Sequence, residues 1–270
     1  GGRIKRNMGV LFGSFILLLL IKVPICFSMM LSSLLYILVT PGMSVMILAQ
    51  GLASGLDSFP LLALPFFIWA GFLMNTMGIS ERIFAFADSL VGHVKGGMGH
   101  VNILASVIFA GMSGSATADA AGLGNIEIKA MLDRGYDPDF SAAITAASSC
   151  IGPIIPPSVM MVVYAVMAGV STWSMFLAGF IPGVIMAIFL GVIVYFKVKR
   201  CDYPVSPKCS FREVLKVGRD AFFALLSPLI ILGSIAGGIV TPTEAGVLSI
   251  VYALFLGVLY KTLTWKSFTD

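Results

Sequence analysis

Two stretches of sequence decide the fold: Gly111-Met-Ser-Gly-Ser-Ala-Thr-Ala-Asp119 and Ile151-Gly-Pro-Ile-Ile-Pro-Pro-Ser158. Both interrupt long apolar segments. In the first, small polar residues separate two apolar arms of about 12–14 residues, each too short to cross a membrane alone. In the second, three prolines within five positions remove amide donors and stop a helix inside an apolar segment. Such breaks are tolerated inside a membrane only where protein or a water-filled cavity surrounds them.

The composition around these stretches is that of a membrane protein. The 270 residues are 58% apolar and 11% charged, and the mean hydropathy is +1.00. A soluble domain has about 25% charged residues. We therefore expect an all-α polytopic membrane protein with about seven to nine membrane elements. Disorder, nucleic-acid binding and a disulfide-stapled secreted module are excluded.

The apolar segments also carry local interruptions. Lys22 and Pro24 lie inside the first segment and predict a single kinked span. The stretch Met43–Leu56 is apolar but too short to cross, so it is predicted to be interfacial. The segments are Met8–Val39, Phe59–Met77, Val101–Leu132, Phe140–Ala168, Trp173–Val198, Ala221–Gly238 and Thr243–Tyr260.

Helix starts are well marked at several boundaries of the sequence. Ser80 opens an amphipathic stretch that reaches Val94 and is predicted to lie as an arm at the cytoplasmic interface. Asp137-Pro138 places an N-cap before a proline at the first helical position. Ser210–Glu213 and Thr241–Glu244 both fit the capping box.

The distribution of basic residues predicts the topology. If Val101–Leu132 crossed the membrane once, the basic stretch Lys197–Arg219 would lie opposite the basic stretch Arg82–Lys95. If the segment instead enters and returns on one side, every Lys and Arg except Lys22 becomes cytoplasmic. Placing the basic stretches on one side of the membrane therefore favours a re-entrant helical hairpin. Discontinuous helices that meet near the midplane are typical of secondary transporter sites.

At these residues the sequence resembles the large membrane (M) subunit of tripartite ATP-independent periplasmic (TRAP) transporters. The hairpin tip and the proline break carry the resemblance together. The stretches Leu56–Phe67 and Gly238–Ala245 look like the flanking motifs of the same family. The resemblance runs from about Val10 to Tyr260, which is nearly the whole chain.

The resemblance implies a sodium-coupled, elevator-type importer of organic acids in the bacterial or archaeal inner membrane, not an enzyme. It implies two partners, a small membrane (Q-type) subunit and a periplasmic solute-binding protein. Family members are inverted repeats, and this sequence shows only the first hairpin and first broken helix, so we expect the C-terminal repeat to be absent. The expected regions are 1–100 (scaffold-type spans and arm), 101–170 (transport-type hairpin and broken helix) and 171–270 (further spans and a basic loop).

The resemblance also suggests where ions and substrate bind. Sodium is the implied coupling ion, and no other cofactor is expected. The implied sodium residues combine the tip and the break: Ser113, Ser115, Gly152, Ile155 and Pro157. Predicted residues of the substrate path are Thr117, Asp119, Ser148, Ser149 and Ser158.

Other interpretations remain beside these. The small residues of the tip could serve only close helix packing, and Asp119 could bind a cation or substrate, or cap the returning arm. The chain could be a non-transporting scaffold subunit, or an ion-coupled carboxylate permease that needs no binding protein. Gly111–Gly114 also matches the GxSG motif of rhomboid-type proteases. Both histidines, His93 and His100, precede this motif closely and are predicted to lie in a loop, so no histidine base is expected beside Ser113.

Overall fold

The computed structural model describes residues 2–57, 59–199 and 203–263. Over these residues the chain is all-helical and contains no strand, which confirms the predicted fold class at that level. The helices are α1 Gly2–Leu20, α2 Ile25–Val39, α3 Met46–Leu56, α4 Ala63–Thr76, α5 Ile79–Val91, α6 Gly97–Ser113, α7 Ala116–Ala121, α8 Leu123–Asp133, α9 Pro138–Ser149, α10 Val159–Ala168, α11 Thr172–Val198, α12 Phe211–Ala236 and α13 Pro242–Leu259, with a 3-10 turn at Phe59–Leu62 before α4.

The chain forms two compact units, residues 1–58 and residues 59–270. The first contains α1 to α3, and the second contains the hairpin tip and the proline break. The predicted division at residues 100 and 170 stays a prediction.

The first unit differs from the predicted single kinked span. Lys22 has a positive φ of 65° and ends α1 in a Schellman motif, in which Val23 N–H donates to Leu18 O (3.1 Å). The chain then reverses, because Asn7 near the start of α1 donates to Thr40 Oγ1 after the end of α2 (3.0 Å). Met8–Val39 is therefore an antiparallel helix pair, and the prediction of one kinked helix is wrong.

The predicted caps at Asp137, Ser210 and Thr241 are confirmed in the second unit, whereas α5 begins at Ile79 with Gly78, not Ser80, at its N-cap. The Asp137 carboxylate accepts from Phe140 N–H at the start of α9 (3.0 Å). At the start of α13, Thr241 N–H donates to Glu244 Oε2 (2.7 Å), and Glu244 N–H donates to Thr241 Oγ1 (3.3 Å). This reciprocal pairing satisfies two amides that have no partner within the helix.

Several helices of the second unit have the length and apolarity of membrane spans. By these two criteria α11, α12 and α13 could each cross a membrane, and α4 with α5 would be a fourth span bent by 70°. Only 17% of the most apolar window of α11 is buried in the protein. A helix that is apolar all round and mostly uncovered faces lipid rather than water.

One end of the second unit gathers its basic residues, and we call it the basic end. There Thr262, after α13, donates to the Met77 carbonyl after α4 (2.9 Å). The last residue of α11, Val198, lies against Gly96 just before α6. The Lys and Arg residues near this end are Arg82, Lys95, Lys129, Arg134, Lys197, Lys199, Lys208, Arg212, Lys216, Arg219 and Lys261.

The opposite end of this unit is apolar. Thr243 at the start of α13 donates to the carbonyl of Phe59 before α4 (3.1 Å). Beside them, Val162 of α10, Phe176 of α11 and Ile235 of α12 belong to one buried cluster. No Lys or Arg of the described residues 59–263 lies at this end.

Helices α6 to α8 leave the basic end and come back to it. Met98 N–H, in the first turn of α6, donates to the hydroxyl of Tyr136, which follows α8 (3.4 Å). Arg134, also after α8, lies with its guanidinium on the sulfur of Met98 (2.6 Å). Since the start of α6 and the end of α8 are adjacent, residues 97–133 form a helical hairpin whose tip lies at Ser113–Ser115.

An ion pair ties this hairpin to the amphipathic helix α5. Arg134 binds Asp88 with two hydrogen bonds (2.7 and 3.1 Å), and both side chains contact the Ser206 hydroxyl. The hydrogen bond to Asp88 raises the pKa of Arg134 above its ordinary value. An arginine that binds a carboxylate through two hydrogen bonds forms the strong type of ion pair. This ion pair holds α5 to the base of the hairpin.

Candidate functional site

The hairpin tip and the proline break meet inside the second unit. The carbonyl of Gly114 at the tip accepts a hydrogen bond from Val159 N–H at the end of the break (3.2 Å). Gly114 has φ +59°, and a Cβ there would run into the Pro157 carbonyl oxygen. A Cβ on Gly152 would lie 3.1 Å from the Ser115 carbonyl carbon. Two glycines thus allow backbone to approach backbone where both helices are interrupted.

The serines of the tip differ in their surroundings. Ser113 is fully buried, and its hydroxyl has no hydrogen-bond partner among the described residues. Ser115 is partly exposed and starts α7, where its Oγ accepts from Ala118 N–H (3.4 Å) and lies 2.9 Å from Thr117 Oγ1. A buried hydroxyl without a hydrogen-bond partner costs free energy. The Ser113 hydroxyl is therefore available to a bound ligand.

The break presents its own oxygens next to the tip. Pro157 places its carbonyl beside Gly114. Ser158 is buried and caps α10, since its Oγ donates to Pro153 O (2.5 Å) and accepts from Met161 N–H (3.3 Å). Ile155 is buried, and its side chain packs toward Gly183 of α11.

Of the predicted sodium residues, the structure brings four together around one contact: Ser113, Ser115, Gly152 and Pro157. Ile155 belongs to the same break, with its side chain turned toward α11. Whether any of them binds an ion stays a prediction.

A buried polar network lies deeper in the hairpin, and sequence reasoning missed its centre. Asn102 of α6 donates to Glu127 Oε2 and to Thr145 Oγ1 (both 2.7 Å), and its carbonyl oxygen accepts from Ser148 Oγ (2.6 Å). One amide therefore joins α6, α8 and α9. The signal was available, because Asn102 and Glu127 are polar residues within arms otherwise read as apolar.

Two buried carboxylates lie in this region. Asp119 and Glu127 are each 1% exposed. Neither Asp119 oxygen, nor Glu127 Oε1, has a hydrogen-bond partner among the described residues, although the Ser106 and Ser149 hydroxyls lie near Asp119. The structure's described part has no Lys or Arg in salt-bridge contact with either carboxylate. Such a region favours positive charge, supplied by an ion or a proton.

The predicted path residues are split between surface and interior. Thr117 is exposed at the tip, whereas Asp119, Ser148, Ser149 and Ser158 are buried. Ser148 belongs to the Asn102 network, and Ser149 Oγ donates to the Thr145 carbonyl (2.8 Å). Thr117 is therefore the predicted path residue that solvent reaches most directly.

Two interrupted helices meet at their breaks, and apolar helices surround them. This arrangement is typical of membrane transporters. Comparison of the sequence with protein families gives a match over residues 12–270 to the family described as "Tripartite ATP-independent periplasmic transporter, DctM component". The chain belongs to this family. This confirms the resemblance, and with it the expectation that the chain is a permease component and not an enzyme.

Named relatives agree with the family. The chain is 49% identical over 264 residues to "Sialic acid TRAP transporter large permease protein SiaM" of Vibrio cholerae, covering 97% of this chain and 62% of the relative. It is 48% identical over 254 residues to "Sialic acid TRAP transporter permease protein SiaT" of Haemophilus influenzae, covering 94% and 41%. For "C4-dicarboxylate TRAP transporter large permease protein DctM" of Vibrio cholerae the identity is 37% over 250 residues, covering 92% and 55%. The chain thus spans less than two thirds of each relative.

The network predicts that Asn102→Ala destabilises the protein. The substitution leaves Glu127, Thr145 and Ser148 without their shared partner, and each unsatisfied buried group costs about 1–3 kcal/mol. We expect the apparent Tm of the permease in detergent to fall by several degrees. The matched control is Asn125→Ala, because Asn125 is exposed and, among the described residues, bonds only the Ala121 carbonyl. Equal Tm values for the two variants would contradict a structural role of the network.

Proposed function

We propose that the chain is part of the membrane permease of a sodium-coupled secondary transporter that imports organic acids. The contact between the hairpin tip and the proline break carries this proposal. It gathers backbone carbonyls and serine hydroxyls in a place with little fixed charge, and a hard monovalent cation prefers several neutral oxygen ligands. The proposed sodium ligands are Ser113, Ser115 and the Gly152, Ile155 and Pro157 backbone.

In the proposed cycle, sodium draws the hairpin tip and the proline break together. That ordering positions the substrate path, for which Thr117, Asp119, Ser148, Ser149 and Ser158 are the candidates. The hairpin region then moves across the membrane relative to the rest of the permease, as in an elevator. The positive-inside rule supports placing the basic end in the cytoplasm, and with it a re-entrant hairpin in a multi-pass inner-membrane protein.

The names of the relatives described above suggest the substrate class. Sialic acid and C4-dicarboxylates are both carboxylates. Since the two relatives with identities near one half are named for sialic acid, sialic acid is the first substrate to test. We further propose that a periplasmic solute-binding protein delivers the acid and that a small Q-type membrane subunit completes the permease.

Two alternatives make different predictions. A non-transporting scaffold subunit would have no use for the unpartnered Ser113 hydroxyl or the two buried carboxylates, so we favour the permease. A permease that needs no binding protein would take up acid at the same rate in the presence and absence of that protein.

The sodium site predicts the behaviour of Ser115→Ala and Gly152→Ala in the intact permease reconstituted in liposomes. Loss or displacement of one oxygen ligand is expected to raise the sodium concentration for half-maximal uptake about tenfold, which corresponds to about 1.4 kcal/mol. One control is Ser234→Ala, because in the described part of the chain the Ser234 hydroxyl bonds only the Ile231 carbonyl. The other is Gly191→Ala, where a Cβ has ordinary space. Unchanged sodium dependence in both site variants would refute the assignment.

The re-entrant placement predicts which residues an impermeant maleimide reaches from outside. In a background without Cys26, Cys150, Cys201 and Cys209, we expect Val170→Cys, in the turn before α11, to react in right-side-out vesicles. Lys129→Cys, exposed near the basic end, is expected to react only after the vesicles are opened. Labelling of Lys129→Cys from outside would reject the hairpin as re-entrant.

A further inference from the structure

A groove opens at the basic end between α5, α12 and α13. Its volume is about 620 Å³, and charged residues line it together with the apolar side chains of Val217, Phe223 and Leu259. Phe223 and Leu259 are 39% and 44% exposed. The groove lies apart from the hairpin tip and the proline break, and the transport cycle proposed above does not use it.

The groove has an arginine in a fixed position. Arg82 Nη1 donates to the Gly78 carbonyl (2.7 Å), and the guanidinium lies 3.7 Å from the centre of the Tyr260 ring. Stacking on an aromatic ring orients the guanidinium plane, and an oriented guanidinium binds phosphate oxygens in pairs. The remaining donors of Arg82 can therefore face a ligand in the groove.

A second arginine extends the positive charge. Arg219 lines this groove and also an adjoining depression that contains Arg212 and Lys216. The carboxylates on these surfaces are Glu81 and Asp220. Four cationic groups against two carboxylates leave a net positive surface between three helices.

Exposed apolar side chains surround these charges. On α12, Phe211 is 80% exposed and Leu215 is 63% exposed. A soluble phosphate compound would gain nothing from such neighbours, whereas an amphiphile would cover them with its acyl chains. Basic pockets between helices on the cytoplasmic side are typical binding places for anionic lipid headgroups.

We propose that this groove binds an anionic phospholipid of the cytoplasmic leaflet. Arg82 and Arg219 hold the headgroup phosphate, and the acyl chains lie along Phe223 and Leu259. The site joins α5 to α12 and α13, so a bound lipid stabilises the position of the amphipathic helix against two membrane spans. The inference rests on the proposed cytoplasmic placement of the basic end and is independent of the sodium site.

The test measures which lipids remain with the permease. The intact permease is reconstituted in phosphatidylcholine with a minority of phosphatidylglycerol and re-extracted, and its retained lipids are counted by mass spectrometry. The wild type is expected to retain phosphatidylglycerol above its share of the bilayer. R82Q with R219Q is expected to lower that enrichment about fivefold for each arginine.

The matched control is K95Q with K208Q, which removes the same charge at the basic end but does not line the groove. Equal enrichment in the two double variants would overturn the proposal in favour of unspecific attraction. Should the first double variant fail to fold, R219Q alone, which keeps the Arg82 stack, is expected to lose about fivefold. Enrichment in R219Q equal to that of the wild type would then overturn it.

A second experiment distinguishes a bound lipid from a bound soluble phosphate compound. Excess glycerol 3-phosphate, which carries the same phosphate chemistry without acyl chains, is expected to leave the retained phosphatidylglycerol unchanged. Its displacement of the lipid would overturn the proposal in favour of a soluble phosphate ligand. Sodium-dependent uptake is expected to persist in R82Q with R219Q, so failure of this inference leaves the proposed function intact.

Discussion

The second unit depends on one contact, the hydrogen bond from Val159 N–H to the carbonyl of Gly114. It joins a hairpin tip to a proline break, two places where backbone groups lack their helical partners. Inside a membrane such groups must be satisfied by protein or by a ligand. The helices around the contact accommodate this need: Gly71 of α4 brings that helix close to Ser113, and Gly111 of α6 lies against Pro228 of α12.

Below the contact, the Asn102 network makes the hairpin and α9 one body. The amide links the two arms to α9 through Glu127 and Thr145, while Arg134 fixes the base of the hairpin to Asp88 of α5. A rigid hairpin with an interrupted tip suits a site that must hold an ion in one arrangement and release it in another. The buried carboxylates Asp119 and Glu127 lie in the same interior.

The sequence predicted the helical class and the capped starts of α9, α12 and α13, because apolar length, prolines and capping residues act locally. It failed at Met8–Val39, where Lys22 adopts a left-handed conformation that no propensity rule assigns to lysine. It also missed the pairing of Asn102 with Glu127, because 25 residues separate them in the chain. Contacts of that kind depend on how helices pack, which a single sequence does not encode in any local pattern.

The central claim is that the hairpin tip and the proline break form a cation site only when their backbones touch. Sodium-22 binding to the purified intact permease tests it most directly with two glycine variants. Gly114→Ala places a Cβ against the Pro157 carbonyl, whereas Gly135→Ala imposes a similar positive φ of 77° with open space around it. We predict that Gly114→Ala loses sodium binding and that Gly135→Ala retains it. Equal binding by the two variants would contradict the account.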